Sequence, residues 1–375
     1  MYKLNKKVEP KGSIDFILFS TIMLLIAIGV VMVYSASSYM CFFDKNIQDS
    51  MYYLKRQGLW AILGTILMFF AIKFDYHRIK KPTKYLMMGS IILLLIVFAF
   101  PATNGAQRWI QFGPIGLQPS EIAKYIIVLY MAKSIETKGG RKIESFLYGV
   151  LPYLLVSGFY AALVLAEKNL SIAAIIMIVT LIVLYASGAK ITHIIGVMMF
   201  VFIGGVAGII FEPYRMKRFT SFLNPWADPK GSGYQLIQSL LAMGSGGIWG
   251  VGLGRSRQKC YYIPEPHTDF IFSIIGEELG LIGCVIIISL FIILIWRGIV
   301  TAIKAKDVYG TILATGITSV IAIQAIINIA VVTGSMPVTG VPLPFISYGG
   351  SSLLFNMIAM GVLLNISRQN KSYSI

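Results

Sequence analysis

Apolar residues in this chain gather mostly into long runs separated by polar stretches, with a shorter apolar-periodic stretch at Tyr234–Met243. A spanning helix needs about 20 mainly apolar residues. Ten runs fit, at about residues 14–34, 57–74, 85–101, 119–135, 146–166, 170–187, 191–211, 269–296, 308–332 and 351–366. Charge intrudes at the ends of the second and fourth, so the pattern allows nine to eleven spans. Composition agrees: of 375 residues, 57% are hydrophobic and 13% charged, whereas a soluble domain carries about 25% charge. The pattern predicts an all-α polytopic membrane protein, one integral domain over residues 1–375. Its tails are short, residues 1–13 and 367–375. The basic start leads into an apolar run too long for a signal-peptide core, which reads as an anchor and first span.

Charge sets the orientation. The 32 Lys and Arg exceed the 16 Asp and Glu, a net charge of +16. On a soluble chain that excess would suggest nucleic acid, but on a spanning chain the location of the charges decides. With the N-terminus inside, 19 basic residues fall in inside segments. Only Lys45, Lys55, Arg56, Arg108 and Lys168 fall in short outside loops. Ten spans then leave both termini cytoplasmic. One outside segment, residues 212–268, is far longer than the usual connection. It carries seven basic residues, among them Lys217, Arg218 and Lys259, against Glu212, Asp228 and Glu265. Such a loop suits an anionic ligand, a phosphate or lipid head group, or simply outer-leaflet lipid.

Polar chemistry intrudes at a few places. Ionisable residues within spans are costly and are functional candidates by default. Glu121 and Lys124 stand one helical turn apart at the outer end of the fourth span, able to neutralise each other and to serve as an acid and a base. Asp269 opens the eighth span after Pro264-Glu265-Pro266-His267-Thr268, where Thr268 or Asp269 could instead cap the helix. Glu277 and Glu278 follow deeper in the same span, as members of a buried polar network or as protonated acids. Gly244 to Gly254 is glycine-rich without the G-x-G-x-x-G spacing. It reads as a short helix and glycine turn that either packs tightly on protein or lines a wet cavity. Ser347-Tyr348-Gly349-Gly350-Ser351-Ser352 suits sugar or phosphate hydrogen bonding, or an ordinary helix-capping turn. No HExxH, CxxC or G-x-S-x-G motif is present. Three cysteines cannot form a disulfide framework, and only a Cys41–Cys260 bridge merits consideration.

Taken in order, Gly105-Ala106-Gln107-Arg108-Trp109-Ile110, Gly113-Pro114, Gln118-Pro119-Ser120-Glu121 with Lys124, Arg218-Phe219, Asn224-Pro225-Trp226 and Asp228-Pro229 resemble the signature of the SEDS proteins (shape, elongation, division and sporulation). Gly233-Tyr234-Gln235, the segment from Pro264 to Phe272, Glu277-Glu278 and the run from Pro342 to Ser352 complete it. The residues from Ser256 to Pro266 resemble the FtsW/SpoVE branch more than the RodA branch, with His267 where that branch carries Gln. The resemblance implies a peptidoglycan glycosyltransferase that polymerises lipid II, a disaccharide-pentapeptide on undecaprenyl pyrophosphate, at the outer face of the bacterial cytoplasmic membrane. It further implies a class B penicillin-binding transpeptidase as partner, other division or sporulation proteins, and a divalent metal, Mg²⁺ or Mn²⁺. It places the catalytic aspartate at Asp269 and an important loop tryptophan at Trp109. With these, Arg108, Gln118, Ser120, Glu121, Lys124, Arg218, His267, Thr268, Ser347, Tyr348 and Ser351 are the candidate substrate contacts. Rival classes are a lipid II flippase or other transporter, which would place its site nearer the midplane, and a division scaffold.

Overall fold

The computed structural model describes residues 12–102, 106–113, 115–211 and 213–370, and at some of these, Arg141, Arg215 and Arg218 included, the backbone alone. The tail lysines Lys3, Lys6, Lys7, Lys11 and Lys371, and the motif residues Gly105, Pro114 and Glu212, lie outside the described residues. The elements run α1 (Phe16–Phe43), α2 (Tyr52–Lys73), α3 (Thr83–Ile96), β1 (Ile110–Phe112), β2 (Ile115–Leu117), α4 (Pro119–Lys138), the single turn α5 (Gly140–Ile143), α6 (Leu151–Ala166), α7 (Leu170–Ala186), α8 (Ile191–Ile210), α9 (Pro213–Leu223), α10 (Tyr234–Gly246), α11 (Ile271–Ile303), α12 (Val308–Val332) and α13 (Gly350–Gln369). Each apolar run of the sequence lies on a helix. Among the described residues six helices are long and apolar enough to span a membrane: Phe16–Phe43, Tyr52–Lys73, Phe146–Ala166, Ile271–Ile303, Val308–Val332 and Gly350–Gln369. Thr83–Ala99, Leu170–Ala186 and Ile191–Val206 are shorter apolar helices. The remaining run, α4, carries Glu121, Lys124, Lys133, Glu136 and Lys138.

Small residues set the helix spacing, as packing without a hydrophobic drive between helices requires. Gly64 faces Met357 and Gly361 faces Met68 and Ala71 along α2 and α13; Gly298 meets Thr318 and Gly316 meets Val128 around α12. At one end of the bundle the two chain ends meet. Asp15 caps α1 by accepting from Leu18 N–H, pairs with Arg297 at 2.6 Å, and its own N–H donates to Ser367 Oγ at 3.2 Å. Arg368 donates to the Gly12 carbonyl at 3.3 Å. At the same end Tyr76 donates to Asp307, which caps α12.

Residues 212–268 are more than a loop. They hold the basic helix α9, the short helix α10 and a glycine turn bound to α11. Helix α11 is broken at Gly280 (φ 67°, ψ −164°), and the break frees backbone groups that need partners. The glycine turn supplies them: Val251 and Gly252 N–H donate to the Glu277 and Glu278 carbonyls, while Leu281 and Ile282 N–H donate to Gly247 and Ile248. Approach this close demands glycine, since a β-carbon on Gly246 would stand 1.9 Å from the Gly276 carbonyl oxygen. Tight packing on protein is therefore the role of this turn. Cys41, Cys260 and Cys284 are all free thiols, so the considered Cys41–Cys260 bridge is absent.

Candidate functional site

The candidate residues gather at the end of the bundle opposite the chain ends. Helices α2, α4, α11 and α13 begin there, so free N–H groups and positive helix dipoles face outward together. Asp269 is half-buried. The N-cap position of α11, which begins at Ile271, is Phe270 rather than Thr268 or Asp269, and Thr268 Oγ1 donates back to the Glu265 carbonyl at 3.0 Å.

The backbone carrying Asp269 is tied at three successive residues. Tyr348 N–H donates to the His267 carbonyl at 2.8 Å. Ser347 Oγ donates to the Thr268 carbonyl at 2.7 Å and accepts from Leu343 N–H at 2.8 Å. Asn328 Nδ2, from α12, donates to the Asp269 carbonyl and to the Val341 carbonyl, each at 2.8 Å. The opposing loop comes close enough that a β-carbon on Gly340 would lie 3.3 Å from Asp269 Oδ2. His267 is buried between Tyr53 and Tyr348, with ring centroids 4.2 and 5.7 Å away. Its Nδ1 has no hydrogen-bond partner, and burial pushes the imidazole down to about 4. Burial likewise raises the Tyr348 phenol above its usual range. Gln57 Nε2 steadies the Ser347 carbonyl at 3.3 Å.

Four residues along the chain from Ser347 lies a second cluster. Glu121 and Lys124 are about 1% exposed and pair at 2.8 Å. Ser352 donates to the same Glu121 oxygen at 2.6 Å. The other Glu121 oxygen, Ser120 Oγ, Ser351 Oγ and Gln57 Oε1 are buried without a protein partner. Orphan polar atoms of this kind are normally occupied by water or ligand. Gln118 sits at the N-cap of α4, half-buried, without a side-chain cap bond.

Arg108 and Trp109 lead into the β1–β2 hairpin, and β2 packs on α13. The Trp109 ring covers the β2 backbone, 3.2 Å from where a Gly116 β-carbon would lie. Arg108 donates to the carbonyls of Glu167 and Lys168 at 3.3 and 2.5 Å. Burial pushes the Glu167 carboxyl up to about 8 against the pull of Arg108. Arg218 lies on α9, its side chain outside the described residues. Neighbouring Lys217 lines a cavity of about 180 Å³ with Ser221, Gln235 and Val338, and Val338 stands two residues from Gly340.

Glu277 and Glu278 belong to a different centre. Lys259 reaches Glu278 at 2.7 Å and Ser35 at 3.3 Å, and Ser35 also donates to Glu278 at 2.6 Å. Ser256 Oγ and the N–H groups of Arg257 and Gln258 donate to Glu277. These acids staple the 256–259 segment to α11 and α1. Tyr53, Gln57 and Asn328 were missed by sequence reasoning. Their only signals are the i, i+4 spacing of Tyr53 and Gln57 and an amide near the end of an apolar helix.

A model of the FtsW/RodA/SpoVE cell cycle protein family matches residues 15–372. The chain belongs to that family. It is 45% identical over 357 residues to a probable peptidoglycan glycosyltransferase FtsW of Geobacter sp. (strain M18), covering 94% of this chain and 96% of that one. It is 44% identical over 371 residues to the stage V sporulation protein E of Bacillus subtilis (strain 168), covering 98% and 99%. A solved chain from a peptidoglycan synthase complex that coordinates polymerization and crosslinking superposes with a TM-score of 0.79 at 27% identity, covering 96% of this chain and 99% of that one. Like other members of the family, the chain is a multi-pass membrane protein.

Proposed function

We propose that this end of the bundle is the active site of a peptidoglycan glycosyltransferase of the FtsW/SpoVE kind, extending glycan from lipid II in division or sporulation. The observation that carries the reading is a half-buried carboxylate, Asp269, just before the helix and held through its own carbonyl by Asn328. A general base needs that combination of fixed position and access.

Ten spans with both chain ends cytoplasmic put this site on the outer face of the bacterial cytoplasmic membrane. The meeting of Asp15 with Ser367, and of Gly12 with Arg368, at the opposite end supports an even number. Glycan extension removes a proton from the acceptor 4-hydroxyl while pyrophosphate leaves the donor's anomeric carbon. Asp269 takes that proton. Arg108, Lys124 and the basic 212–268 segment, Arg218 included, supply positive charge toward the pyrophosphate. Trp109, Gln118, Ser120, Glu121, His267, Thr268, Tyr348 and Ser351 shape the walls that orient the two sugars. Ser347 contributes chiefly by binding backbone. One carboxylate suffices because pyrophosphate leaves without a strong acid, unlike the alcohol released in glycoside hydrolysis.

A divalent ion fits this site only in shared form. Among the described residues no group of three or more His, Cys, Asp or Glu side chains converges on one point. Mg²⁺ is commonly bound by one or two carboxylates with substrate phosphates, so Asp269 would be the protein's contribution. When bound, the ion would offset charge on the departing pyrophosphate. A class B penicillin-binding transpeptidase is the partner, following the synthase complex to which the fold is similar. Polymerisation of labelled lipid II by the purified chain, with and without Mg²⁺ or Mn²⁺ and the transpeptidase, tests the reading. Product from wild type and none from Asp269→Asn supports it; equal product removes Asp269 as the base. Absence of product from folded protein in every condition favours the flippase or scaffold alternatives.

A further inference from the structure

From its hydrogen bonds we infer that Asn328 is a positioning residue for the reaction, setting where the Asp269 carboxylate stands relative to the opposing loop. The inference rests on Asp269 being the base. Asn328 lies one turn from the outer end of α12 and is 1% exposed. Its amide has two N–H bonds, and both are spent on backbone: one on the Asp269 carbonyl, the other on the Val341 carbonyl, each at 2.8 Å. These carbonyls belong to the two segments that face each other across the site, the entry to α11 and the loop containing Gly340. A single rigid side chain thereby fixes the separation of the two walls.

No other donor type serves as well. A hydroxyl has one proton and cannot satisfy both carbonyls, and a carboxylate has none. Lysine would bring charge, and glutamine one methylene too many. Asn328 Oδ1 is buried without a partner, so the residue is kept for its donors rather than for a balanced network. An amide left half-satisfied in a buried position is unfavourable by itself, as expected where geometry rather than stability is served. The nearby bonds from Ser347 and Tyr348 anchor residues 268 and 267. The link at 269 itself comes from Asn328.

The test compares full-length wild type, Asn328→Leu and Asn328→Asp in polymerisation of labelled lipid II. Asn328→Leu keeps the branched outline, though with added volume, and suits an apolar helix but donates nothing. Displacement of a reacting group by about 1 Å costs on the order of 100-fold, so kcat should fall by about that factor, with KM for lipid II changed far less because His267 and Thr268 stay anchored by Tyr348 and Ser347. Asn328→Asp has the same shape and donates only when protonated. The ratio of its kcat to that of wild type should therefore rise as pH falls while KM for lipid II and the melting temperature do not follow it, a split that a packing role would not produce. Wild-type kcat in Asn328→Leu, or a pH-independent ratio for Asn328→Asp, overturns the inference. Should the leucine variant fail to fold, the pH ratio decides alone. An inactive Asp269→Asn beside an active Asn328→Leu removes only this positioning role; an active Asp269→Asn removes the base as well.

Discussion

Replacing His267 by glutamine should make the protein less sensitive to acid. The imidazole is 7% exposed, is enclosed by Tyr53 and Tyr348, and has no partner for Nδ1. Its pKa falls from 6.5 to about 4 through burial. Since histidine is charged when protonated, the unfolded chain takes up a proton as pH falls below about 6.5, while the folded chain resists until about 4. The contribution to stability is complete above about pH 6.5, declines as pH falls through the window, and levels off below about 4. A shift of that size corresponds to roughly 3 kcal/mol at about 1.4 kcal/mol per unit. Thermal unfolding of purified protein in detergent, followed by tryptophan fluorescence at pH 7.5 and 4.5, measures it. Wild type should lose several degrees more between the two pH values than His267→Gln. An equal loss in both would refute the argument that this imidazole is held neutral by burial.

Lys124→Met should destabilise the fold by about 3–5 kcal/mol, because it strands a buried Glu121 charge. The double variant Glu121→Gln/Lys124→Met should recover most of that loss in a thermal melt while remaining inactive on lipid II. Lys259→Met should also cost about 3–5 kcal/mol by leaving Glu278 unpaired, and limited proteolysis should then cut near residues 254–262. Gly246→Ala should destabilise by at least about 1–3 kcal/mol, because its β-carbon would meet the Gly276 carbonyl at 1.9 Å. Gly244→Ala, two residues earlier with nothing within 4 Å, should melt like wild type.

The helices were legible because a lipid-facing helix must be apolar over its whole length, a signal local to each run. Ends were less so. Helix α1 runs on to Phe43 through Tyr34, Ser35, Ser37 and Ser38, polar residues that look like a loop until Ser35 is seen donating to Glu278. The β1–β2 hairpin has three-residue strands, too short for an alternation to stand out. Glu277 and Glu278 were legible as buried acids. Their partners were not, since Lys259 and the N–H groups of residues 257–258 reach them through the fold. Within the site, Asp269, His267 and the Ser347–Ser352 run could be chosen by residue type and place. Asn328 could not: an amide in an apolar helix signals a hydrogen bond without saying to what. Ser347 shows the converse, a hydroxyl chosen for sugar contact whose bonds go to Leu343 and Thr268.

The most direct test of the central claim is glycan length from labelled lipid II with purified wild type and Asp269→Asn, each first shown to melt at the same temperature. Asn retains the size of Asp but lacks a carboxylate to accept the acceptor's proton. Long glycan from wild type and none from Asp269→Asn is the result predicted. Glycan of equal length and yield from both would contradict a catalytic role for Asp269.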